Sequence, residues 1–502
     1  MAISWSDLLN LIPEVILALT IFGLVLAEVT YREEKIRTVV LIALFGLGAA
    51  LIQLLLLGSS GPTRFLDGAA IADGISFFFR LYSLLAGLVV VLLSLVFPEF
   101  ERDRRAEFTA FVLAGVLMAN ILSMAGSFTL VLVAYPVLLV VSSFACAIAK
   151  ERARSIEAAV KLLHFGLLAW VMLLCAAAAL YFATGSLSFS EIRESLVRQP
   201  TEMRLAAFAF VSFFIFGAAC FGLFPAHYWF PDVVDGAPLP SGLFIALVLP
   251  GVATALLLRV LGGIFGHPAL LDRLPWSEWV ALGAGASLLL GSWAALRQDR
   301  LRRMLVYLTL SQLGALAMGF LGSPNEGVPA LFFGLVSFLF SLTGVVACIG
   351  CLIRNSGAET LKELQGLGFR YAHESVLLIF FLACLLGVPP MPGFQAKLAL
   401  SGTAYASGWT GLVAFSIIAS IVQIAALGRI VVALFSSSHG SMAAVSGGAA
   451  LASGAMVLNR APSVVAASRF LLWLVLLPLM VLTFFPTPFV NWATRAAKLI
   501  LW

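Results

Sequence analysis

A single lysine, Lys397, is the residue of this chain best placed to carry chemistry. It ends the segment Gly387-Val-Pro-Pro-Met-Pro-Gly-Phe-Gln-Ala-Lys397, inside a long apolar stretch. A lysine near the middle of a bilayer costs about 3 kcal/mol on insertion scales, and such residues usually belong to ion pathways. The three prolines remove backbone donors and interrupt the helix, which is tolerated at membrane depth only beside protein or a watery cavity. A broken helix followed by a buried base is typical of transporters.

The composition is that of a membrane protein. Of 502 residues, 62% are apolar and 11% are charged, and the mean hydropathy is +1.06. Apolar windows of about 18 or more residues are each long enough to cross a bilayer. We therefore predict an all-α polytopic membrane protein with about 14 transmembrane helices. The windows are 8–28, 38–57, 75–97, 108–125, 128–148, 158–184, 205–230, 241–262, 277–296, 304–322, 329–353, 375–400, 409–435 and 468–486.

Basic residues predict the orientation of the chain. Most of the 30 Lys and Arg residues lie in alternate connections, which the positive-inside rule assigns to the cytoplasm. Both termini should then lie on the non-cytoplasmic side. The net charge of +5 and the pI near 9.0 fit this asymmetry, and no pattern favours nucleic-acid binding.

No motif for redox chemistry is found in the sequence. The six cysteines lie in apolar stretches. Cys348-Ile-Gly-Cys351 has a metal-like spacing, but no second pair or histidine accompanies it, so helix packing by small apolar residues explains it better. The sequence has no Rossmann glycine motif, phosphate loop or haem attachment motif. We expect no cofactor in this chain.

Two predicted helices are interrupted by proline at comparable depth. One carries Phe224-Pro225-Ala-His227, and the other is the segment that ends at Lys397, five predicted spans later. Such weak internal symmetry is typical of inverted-repeat transporters, and prolines that serve only packing are the alternative for each helix. The long connection 436–467 is rich in Gly, Ala and Ser, which predicts a flexible cytoplasmic loop.

Five motifs in order along the chain resemble those of subunit N, the antiporter-like subunit of bacterial respiratory complex I (NADH:quinone oxidoreductase). The motif around His227 is the most specific of the five. The motifs are Leu11-Ile-Pro-Glu14-Val-Ile-Leu, Ser155-Ile-Glu157-Ala-Ala-Val-Lys161, Pro225-Ala-His227-Tyr-Trp229-Phe-Pro-Asp232-Val-Val-Asp-Gly236-Ala-Pro238, Gln298-Asp-Arg-Leu-Arg302-Arg303-Met-Leu-Val-Tyr307 and the segment 387–397.

This resemblance implies a fold, a location and partners. The implied fold is a single antiporter-like domain over 1–502, with two inverted five-helix repeats at about 108–262 and 277–435. Helices seven and twelve should be broken, and a final helix should occupy 468–486. The chain should be a multi-pass protein of the bacterial inner membrane, surrounded by lipid and by other membrane-arm subunits. It should be a non-redox subunit of a proton-translocating enzyme, in which buried ionisable groups and water carry protons.

The chain departs from this family at three of its four charged positions. The resemblance aligns Pro136 with the family's fifth-helix glutamate. It aligns Cys220 and Pro250 with the lysines of the seventh and eighth helices, so only Lys397 of the twelfth helix remains. No Asp or Glu occurs between Phe108 and Lys150, and no Lys or Arg occurs between Arg204 and Arg259. A thiol in apolar surroundings stays neutral, so we expect the ordinary proton route to be impaired.

Other polar residues have two interpretations each. Lys161 and His164 lie one helical turn apart and could form an input relay for protons. A lysine that snorkels to the membrane surface beside a packed histidine explains them at least as well. His227 fits a proton relay or a partner for carbonyls freed by the break. Glu14 lies near a helix end, where an interfacial or subunit-contact role is the simpler interpretation. Arg80 is expected to face headgroups or neighbouring helices.

Three functions compete on the sequence alone. The first is a membrane-arm subunit of a complex I-type enzyme whose proton path is retained, altered or lost. The second is a structural subunit that keeps the arm intact without conducting. The third is a free-standing cation/proton antiporter or the membrane part of a hydrogenase-like complex. An independent antiporter is disfavoured, because coupling two ions needs more than one buried charge.

Overall fold

The chain folds as an all-helical membrane protein, as predicted. The structure is a computed structural model that describes residues 9–30, 35–58, 62–97, 99, 104–198, 203–271, 274–436 and 462–500. Within these residues, 12 helices are long and apolar enough to cross a membrane, and a bent pair near the C-terminus makes a possible 13th. The predicted span 375–400 is divided between two shorter helices. Each of the 14 predicted spans therefore corresponds to one helix, or to two consecutive helices, of the structure.

We number the spans one to fourteen in chain order. Spans 1 to 7 are Ile12–Thr30, Lys35–Leu57, Gly74–Val96, Arg105–Ser123, Phe128–Ala147, Ala153–Thr184 and Met203–Phe221 with Trp229–Gly236. Spans 8 to 11 are Leu239–Leu257 with a π-helical end Leu258–Phe265, Trp276–Leu296, Leu301–Ala317 with the 3₁₀ turn Met318–Phe320, and Pro324–Ser356. Spans 12 to 14 are Ala372–Leu386 with Pro392–Ala406, Thr410–Phe435 and Pro462–Phe484.

Smaller elements connect the spans. A two-stranded hairpin precedes span 3, with β1 (Thr63–Phe65) antiparallel to β2 (Ala70–Ala72). Short helices occupy Phe189–Arg198, Pro268–Leu271 and Leu367–Arg370. The helix Pro486–Lys498 turns by 86° from span 14, measured from Ser468–Phe484.

Spans 4 and 5 are separate helices although only a few residues divide them. Ser127 caps span 5, where its hydroxyl accepts a hydrogen bond from the Leu130 N–H at 3.5 Å. A Cβ on Gly126 would lie 2.5 Å from the carbonyl oxygen of Gly68. The connection is therefore pressed against the hairpin, at a point where only glycine fits.

Span 7 is broken at Gly222. This glycine has a φ of +81°, and its N–H and that of Leu223 both donate to the Ala218 carbonyl, at 2.9 and 2.8 Å. Pro225 follows after a cis peptide bond, and the helix resumes at Trp229.

Span 12 is broken at Gly387 in the same way. Its φ is +76°, and the N–H groups of Gly387 and Val388 donate to the Ala383 carbonyl, at 3.1 and 2.9 Å. Pro390 follows after a cis peptide bond, at the same distance along the chain from its glycine as in span 7. The prediction that helices seven and twelve are broken is confirmed.

The interior is formed around span 8, which is buried along its whole length, and around spans 10 and 11, which are largely buried. Spans 1, 2 and 6 expose large apolar side chains outward, among them Phe22, Phe45 and Phe182. An apolar outer surface is what a lipid-facing helix requires. The buried spans are those that bring polar side chains to the candidate sites.

The C-terminal region differs from the sequence prediction. The last span begins at Pro462 and ends at Phe484, whereas the apolar window suggested 468–486. The helix Pro486–Lys498 was not predicted, because it is only partly apolar and too short to span. The predicted flexible loop 436–467 lies mostly outside the described residues. The division into repeats 108–262 and 277–435 stays a prediction.

Candidate proton-path site

Lys397 lies in the second half of broken span 12. That half begins at Pro392, whose fixed φ suits the first turn of a helix. The Lys397 side chain runs back toward the break, where a Cβ on Gly387 would be 3.0 Å from its Cδ. Lys397 is only 8% exposed. The break thus provides both the space for the lysine stem and a buried location for its charge.

The Lys397 ammonium is satisfied by neutral acceptors. Its Nζ donates to the Leu386 carbonyl at 2.7 Å, to Gln423 Oε1 at 2.7 Å and to Ser420 Oγ at 3.3 Å. The Leu386 carbonyl is available because the helix ends there. An ammonium has three N–H donors, so each finds an acceptor. Among the described ion pairs, none includes Lys397.

Gln423 extends the polar contacts of Lys397 toward span 10. Its Oε1 also accepts from Gln312 Nε2 at 3.1 Å, and its own Nε2 donates to Ser311 Oγ at 2.6 Å. Ser311 in turn donates to the Leu288 carbonyl at 2.8 Å. Buried hydrogen-bonded groups therefore join spans 12, 13, 10 and 9. The sequence analysis missed Gln423.

The sequence did contain a signal for this arrangement. Ser416, Ser420 and Gln423 follow one another at spacings of four and three residues in span 13. Residues at that spacing share one face of a helix. A polar face inside an apolar span indicates a buried partner, and here Ser420 and Gln423 both accept from Lys397.

A small cavity adjoins this cluster. It has a volume of about 20 Å³, and its lining includes Gln312, Ser337, Cys384 and Lys397. A cavity of at least about 10–15 Å³ with polar partners can hold one water. The site therefore has room for a single water beside the ammonium, between spans 10, 11 and 12.

The first half of the chain has a neutral pair near the predicted charge positions. Cys220 Sγ donates to Tyr135 Oη at 3.3 Å, and the phenol contacts the Gly166 carbonyl at 3.4 Å. Both side chains are buried. Tyr135 directly precedes Pro136 in the chain, so Cys220 contacts the residue next to another of the three departing positions. The sequence analysis missed Tyr135, since a tyrosine in an apolar span is common.

Pro136 and Pro250 both lie inside helices, in spans 5 and 8. A proline has neither a titratable side chain nor a backbone N–H. The carbonyl of Pro250 accepts the Thr254 hydroxyl at 2.7 Å. Neither position can take or release a proton.

His227 lies in the break of span 7 and is half-buried. Its Nδ1 is buried and makes no hydrogen bond within the described part of the chain. The groups freed by the break find other partners: the Phe224 N–H donates to Ser287 Oγ at 2.8 Å, and Trp229 Nε1 donates to the Ala219 carbonyl at 3.1 Å. The role predicted for His227 stays a prediction, with Trp229 as a carbonyl partner that the sequence analysis missed.

Lys161 belongs to an ionic cluster on the side predicted to be cytoplasmic. Its Nζ lies 2.8 Å from Glu157 Oε1 and 3.0 Å from Asp232 Oδ2, while the other oxygen of Asp232 lies 3.3 Å from Arg303 Nη2. Asp232 therefore bridges span 6 to span 10. His164 is exposed and contacts the Phe165 ring, at 5.3 Å between centroids.

These predicted residues do not form one site. Among the described residues, no hydrogen bond or ion pair joins Lys397 to Lys161, His164 or His227. Lys161 and His227 belong to the part of the chain that also holds Tyr135 and Cys220. Lys397 lies with Gln312 and Gln423 in the other part.

Glu14 and Arg80 form a buried ion pair, so Glu14 does not have the interfacial role expected for it, whereas Arg80 faces a neighbouring helix, one of its two expected positions. Arg80 Nε and Nη2 lie 2.9 and 2.6 Å from the two Glu14 oxygens, and Asn120 Nδ2 donates to Glu14 at 3.1 Å. Glu14 is 5% exposed and Arg80 is 3% exposed. The sequence did contain a signal for this ion pair, because Glu14 and Arg80 are lone charges of opposite sign in nearby apolar spans.

Asp73 and Arg259 form a second buried ion pair, which the sequence analysis missed. Arg259 Nη2 and Nη1 lie 2.8 and 3.2 Å from the Asp73 carboxylate, and Arg259 also donates to the Ser123 carbonyl. Arg259 lies on the π-helical end of span 8. The pair fastens span 8 to the start of span 3, where Asp73 is the N-cap residue.

Together, the helices, their two similar breaks and the buried lysine define a polytopic, antiporter-like membrane protein. The family described as "NADH:quinone oxidoreductase/Mrp antiporter, TM" matches residues 125–423, and the chain belongs to this family. It is 27% identical to NADH-quinone oxidoreductase subunit N 2 of Symbiobacterium thermophilum, over 99% of both chains. It is 30% identical to NAD(P)H-quinone oxidoreductase subunit 2 of Prochlorococcus marinus, over 83% of this chain and 81% of the relative.

Solved structures have the same fold. A chain of respiratory complex I from Thermus thermophilus superposes with a TM-score of 0.71 at 28% identity, covering 94% of this chain and 98% of that one. A chain of the Mrp complex from a Dietzia species gives a TM-score of 0.81 at 17% identity, covering 97% and 96%. The second likeness concerns the fold alone.

Proposed function

We propose that this chain is a membrane-arm subunit of a complex I-type NADH:quinone oxidoreductase. Support comes from a relative named as a subunit of NADH-quinone oxidoreductase, which aligns with 99% of this chain. In this proposal the chain holds no cofactor and contributes to coupling electron transfer to proton translocation. It lies in a bacterial inner membrane among other membrane-arm subunits, with both termini on the non-cytoplasmic side.

The observation that carries the coupling role is the buried Lys397. An ammonium at membrane depth is costly, yet here it is held by three neutral acceptors on spans 12 and 13. Without a fixed carboxylate partner, its charge responds to fields that arise outside the chain, such as a charge change in a neighbouring subunit. Lys397, Gln423 and Gln312, with one water, provide a short relay in this part of the chain.

The first part of the chain, in this proposal, does not conduct. Cys220, where the family resemblance predicts a lysine, forms a hydrogen bond between neutral groups with Tyr135, which directly precedes Pro136, the position of the predicted carboxylate. With ordinary pKa values of about 10 and about 8.5, a phenol and a thiol are both neutral near pH 7. Proton movement through spans 5 to 8 would therefore need a charge that this chain lacks, and the proton path is confined to the part around Lys397.

Two measurements test the proposal. An affinity-tagged chain, purified from its own membranes, should bring down an NADH:quinone oxidoreductase activity, and its absence from such a preparation would overturn the assignment to this enzyme. In vesicles of the purified complex, Lys397→Ala should lower the number of protons translocated per NADH. Lys362→Ala, an exposed lysine in a predicted cytoplasmic connection, is the matched control and should leave that number unchanged.

A purely structural subunit is the second candidate. The neutral Tyr135–Cys220 pair favours it, because a chain that has lost charges in one part could have lost conduction altogether. The two candidates differ in one outcome. If Lys397→Ala assembles normally and translocates as many protons per NADH as the parent, the structural function is the correct one.

A further inference from the structure

A second cavity lies away from Lys397, at the end of the helices where span 1 begins and span 2 ends. It is a pocket with 15 lining residues, most of which lie at or beside the start of span 1, the end of span 2, the start of span 3 and the helix Pro486–Lys498. Its volume is about 270 Å³. A single water needs only about 10–15 Å³ of such space, so this pocket has room for a group much larger than one water. Such a volume fits a lipid headgroup better than a single ion.

The helix Pro486–Lys498 forms one wall of the pocket and is fixed firmly to span 3. A Cβ on Gly74 would lie 1.9 Å from the Ala496 carbonyl oxygen, so the two helices touch backbone to backbone at this point. The Trp492 ring packs on Phe77, at 5.9 Å between centroids. The helix turns by 86° from span 14, as a helix that lies along a membrane surface must.

Positive groups meet in this pocket. Arg80 is bound to Glu14 through Nε and Nη2, and Nη1 makes no hydrogen bond within the described part of the chain. Arg495 lines the same pocket, is exposed, and has no partner among the described residues.

The one carboxylate among the lining residues, Asp73, and the nearby Glu14 are already neutralised. Asp73 is held by Arg259 and Glu14 by Arg80, each through two bonds. One net positive charge, that of Arg495, is therefore left for a ligand. Among the described lining residues, no free carboxylate remains to receive the ammonium of a zwitterionic headgroup. The walls add apolar surface from Leu54, Leu57 and Leu499.

We propose that this pocket binds the phosphodiester headgroup of an anionic phospholipid, such as phosphatidylglycerol, from the non-cytoplasmic leaflet. The phosphate contacts Arg80 and Arg495, Trp492 lies at the level of the headgroups, and the acyl chains follow the leucines. Cationic side chains at the membrane surface attract anionic lipids, and tryptophan concentrates at the membrane interface. This site is independent of the proton path proposed above.

The proposal can be tested by photo-cross-linking in membranes that contain the full-length chain. Photoactivatable phosphatidylglycerol is added to one sample and photoactivatable phosphatidylcholine to another, and the cross-linked residues are mapped by peptide analysis. Phosphatidylglycerol should label residues 492–499 and 54–58, and Arg495→Gln should reduce this labelling by about fivefold. Lys498→Gln is the matched control, because Lys498 lies in the same last turn but does not line the pocket.

Each other outcome contradicts the proposal in a defined way. Equal labelling by phosphatidylcholine would show that headgroup charge is not recognised. Loss of labelling on addition of inorganic phosphate would indicate a site for a small free anion. Unchanged labelling of Arg495→Gln, or an equal loss of labelling in Lys498→Gln, would show that the pocket does not bind the headgroup. Arg495→Lys keeps the charge and should retain most of the labelling.

Discussion

Lys397 Nζ and Gln423 Oε1 lie 2.7 Å apart, and the same oxygen accepts a hydrogen bond from Gln312. One amide thus connects the buried ammonium to span 10. In this arrangement the Lys397 charge is stabilised by the dipoles of neutral groups. A change in the electric field from outside the chain can therefore shift the protonation equilibrium of the lysine. A carboxylate partner would instead fix the lysine in its charged state.

Replacement of Gln423 should weaken the relay at Lys397. Gln423→Leu removes an acceptor from a buried charged donor, a loss that costs about 1–3 kcal/mol or more. We expect fewer protons per NADH, measured in vesicles of the purified complex. Gln395→Leu is the matched control: the Gln395 side chain lies in the same half-helix as Lys397 but donates to the Thr483 carbonyl. An equal effect of both changes would show that Gln423 has no special role.

Restored charges should reopen the first part of the chain. The triple change Pro136→Glu, Cys220→Lys and Pro250→Lys introduces the charges that the family resemblance predicts. If the loss of these charges is what closes the path, the triple variant should translocate more protons per NADH than the parent. Cys220→Lys alone should instead lower the apparent Tm, because it buries an unpaired charge. A triple variant that assembles but pumps no better would argue against the neutral pair as the block.

The Asp73–Arg259 pair should contribute strongly to stability. Removing one partner of a buried ion pair costs about 3–5 kcal/mol, whereas replacing both by apolar residues is often neutral. Arg259→Leu should therefore lower the apparent Tm in detergent, and Asp73→Leu with Arg259→Leu should recover much of the loss. Arg198→Gln breaks an exposed pair with Glu194 and should change the Tm little. A small effect of Arg259→Leu would mean that the pair is dispensable.

Asp232 should hold spans 6 and 10 together on the predicted cytoplasmic side. It is about half exposed, so Asp232→Asn should change global stability by no more than about 1 kcal/mol. The local effect should be larger. Hydrogen exchange should become faster at the starts of both spans, around residues 153–161 and 300–304. If hydrogen exchange became faster in only one of the two segments, Asp232 would not bridge the two spans.

The sequence predicted the spans well, because apolar length is a direct requirement of the bilayer. It also predicted both breaks, since Gly222 and Gly387 stand before prolines within apolar stretches. The helix Pro486–Lys498 escaped prediction because it does not span, and its position depends on a close contact with Gly74 that has no sequence signature.

The candidate site was predicted less completely than the fold. Lys397 was evident as a lone charge, but its acceptors lie 11 to 26 residues away and meet it only through helix packing. Arg259 and Asp73 are 186 residues apart, and nothing in either segment indicates the other. Tyr135 and Cys220 illustrate the same limit, because a neutral pair leaves no charge pattern to detect.

The most direct test of the central claim is the number of protons translocated per NADH, compared in three forms of the complex. These are the parent, Lys397→Ala, and the double variant Tyr135→Phe with Cys220→Ala. If protons pass only by way of Lys397, the number should fall in Lys397→Ala and stay at the parent value in the double variant. A fall in the double variant, with Lys397→Ala unchanged, would contradict the account.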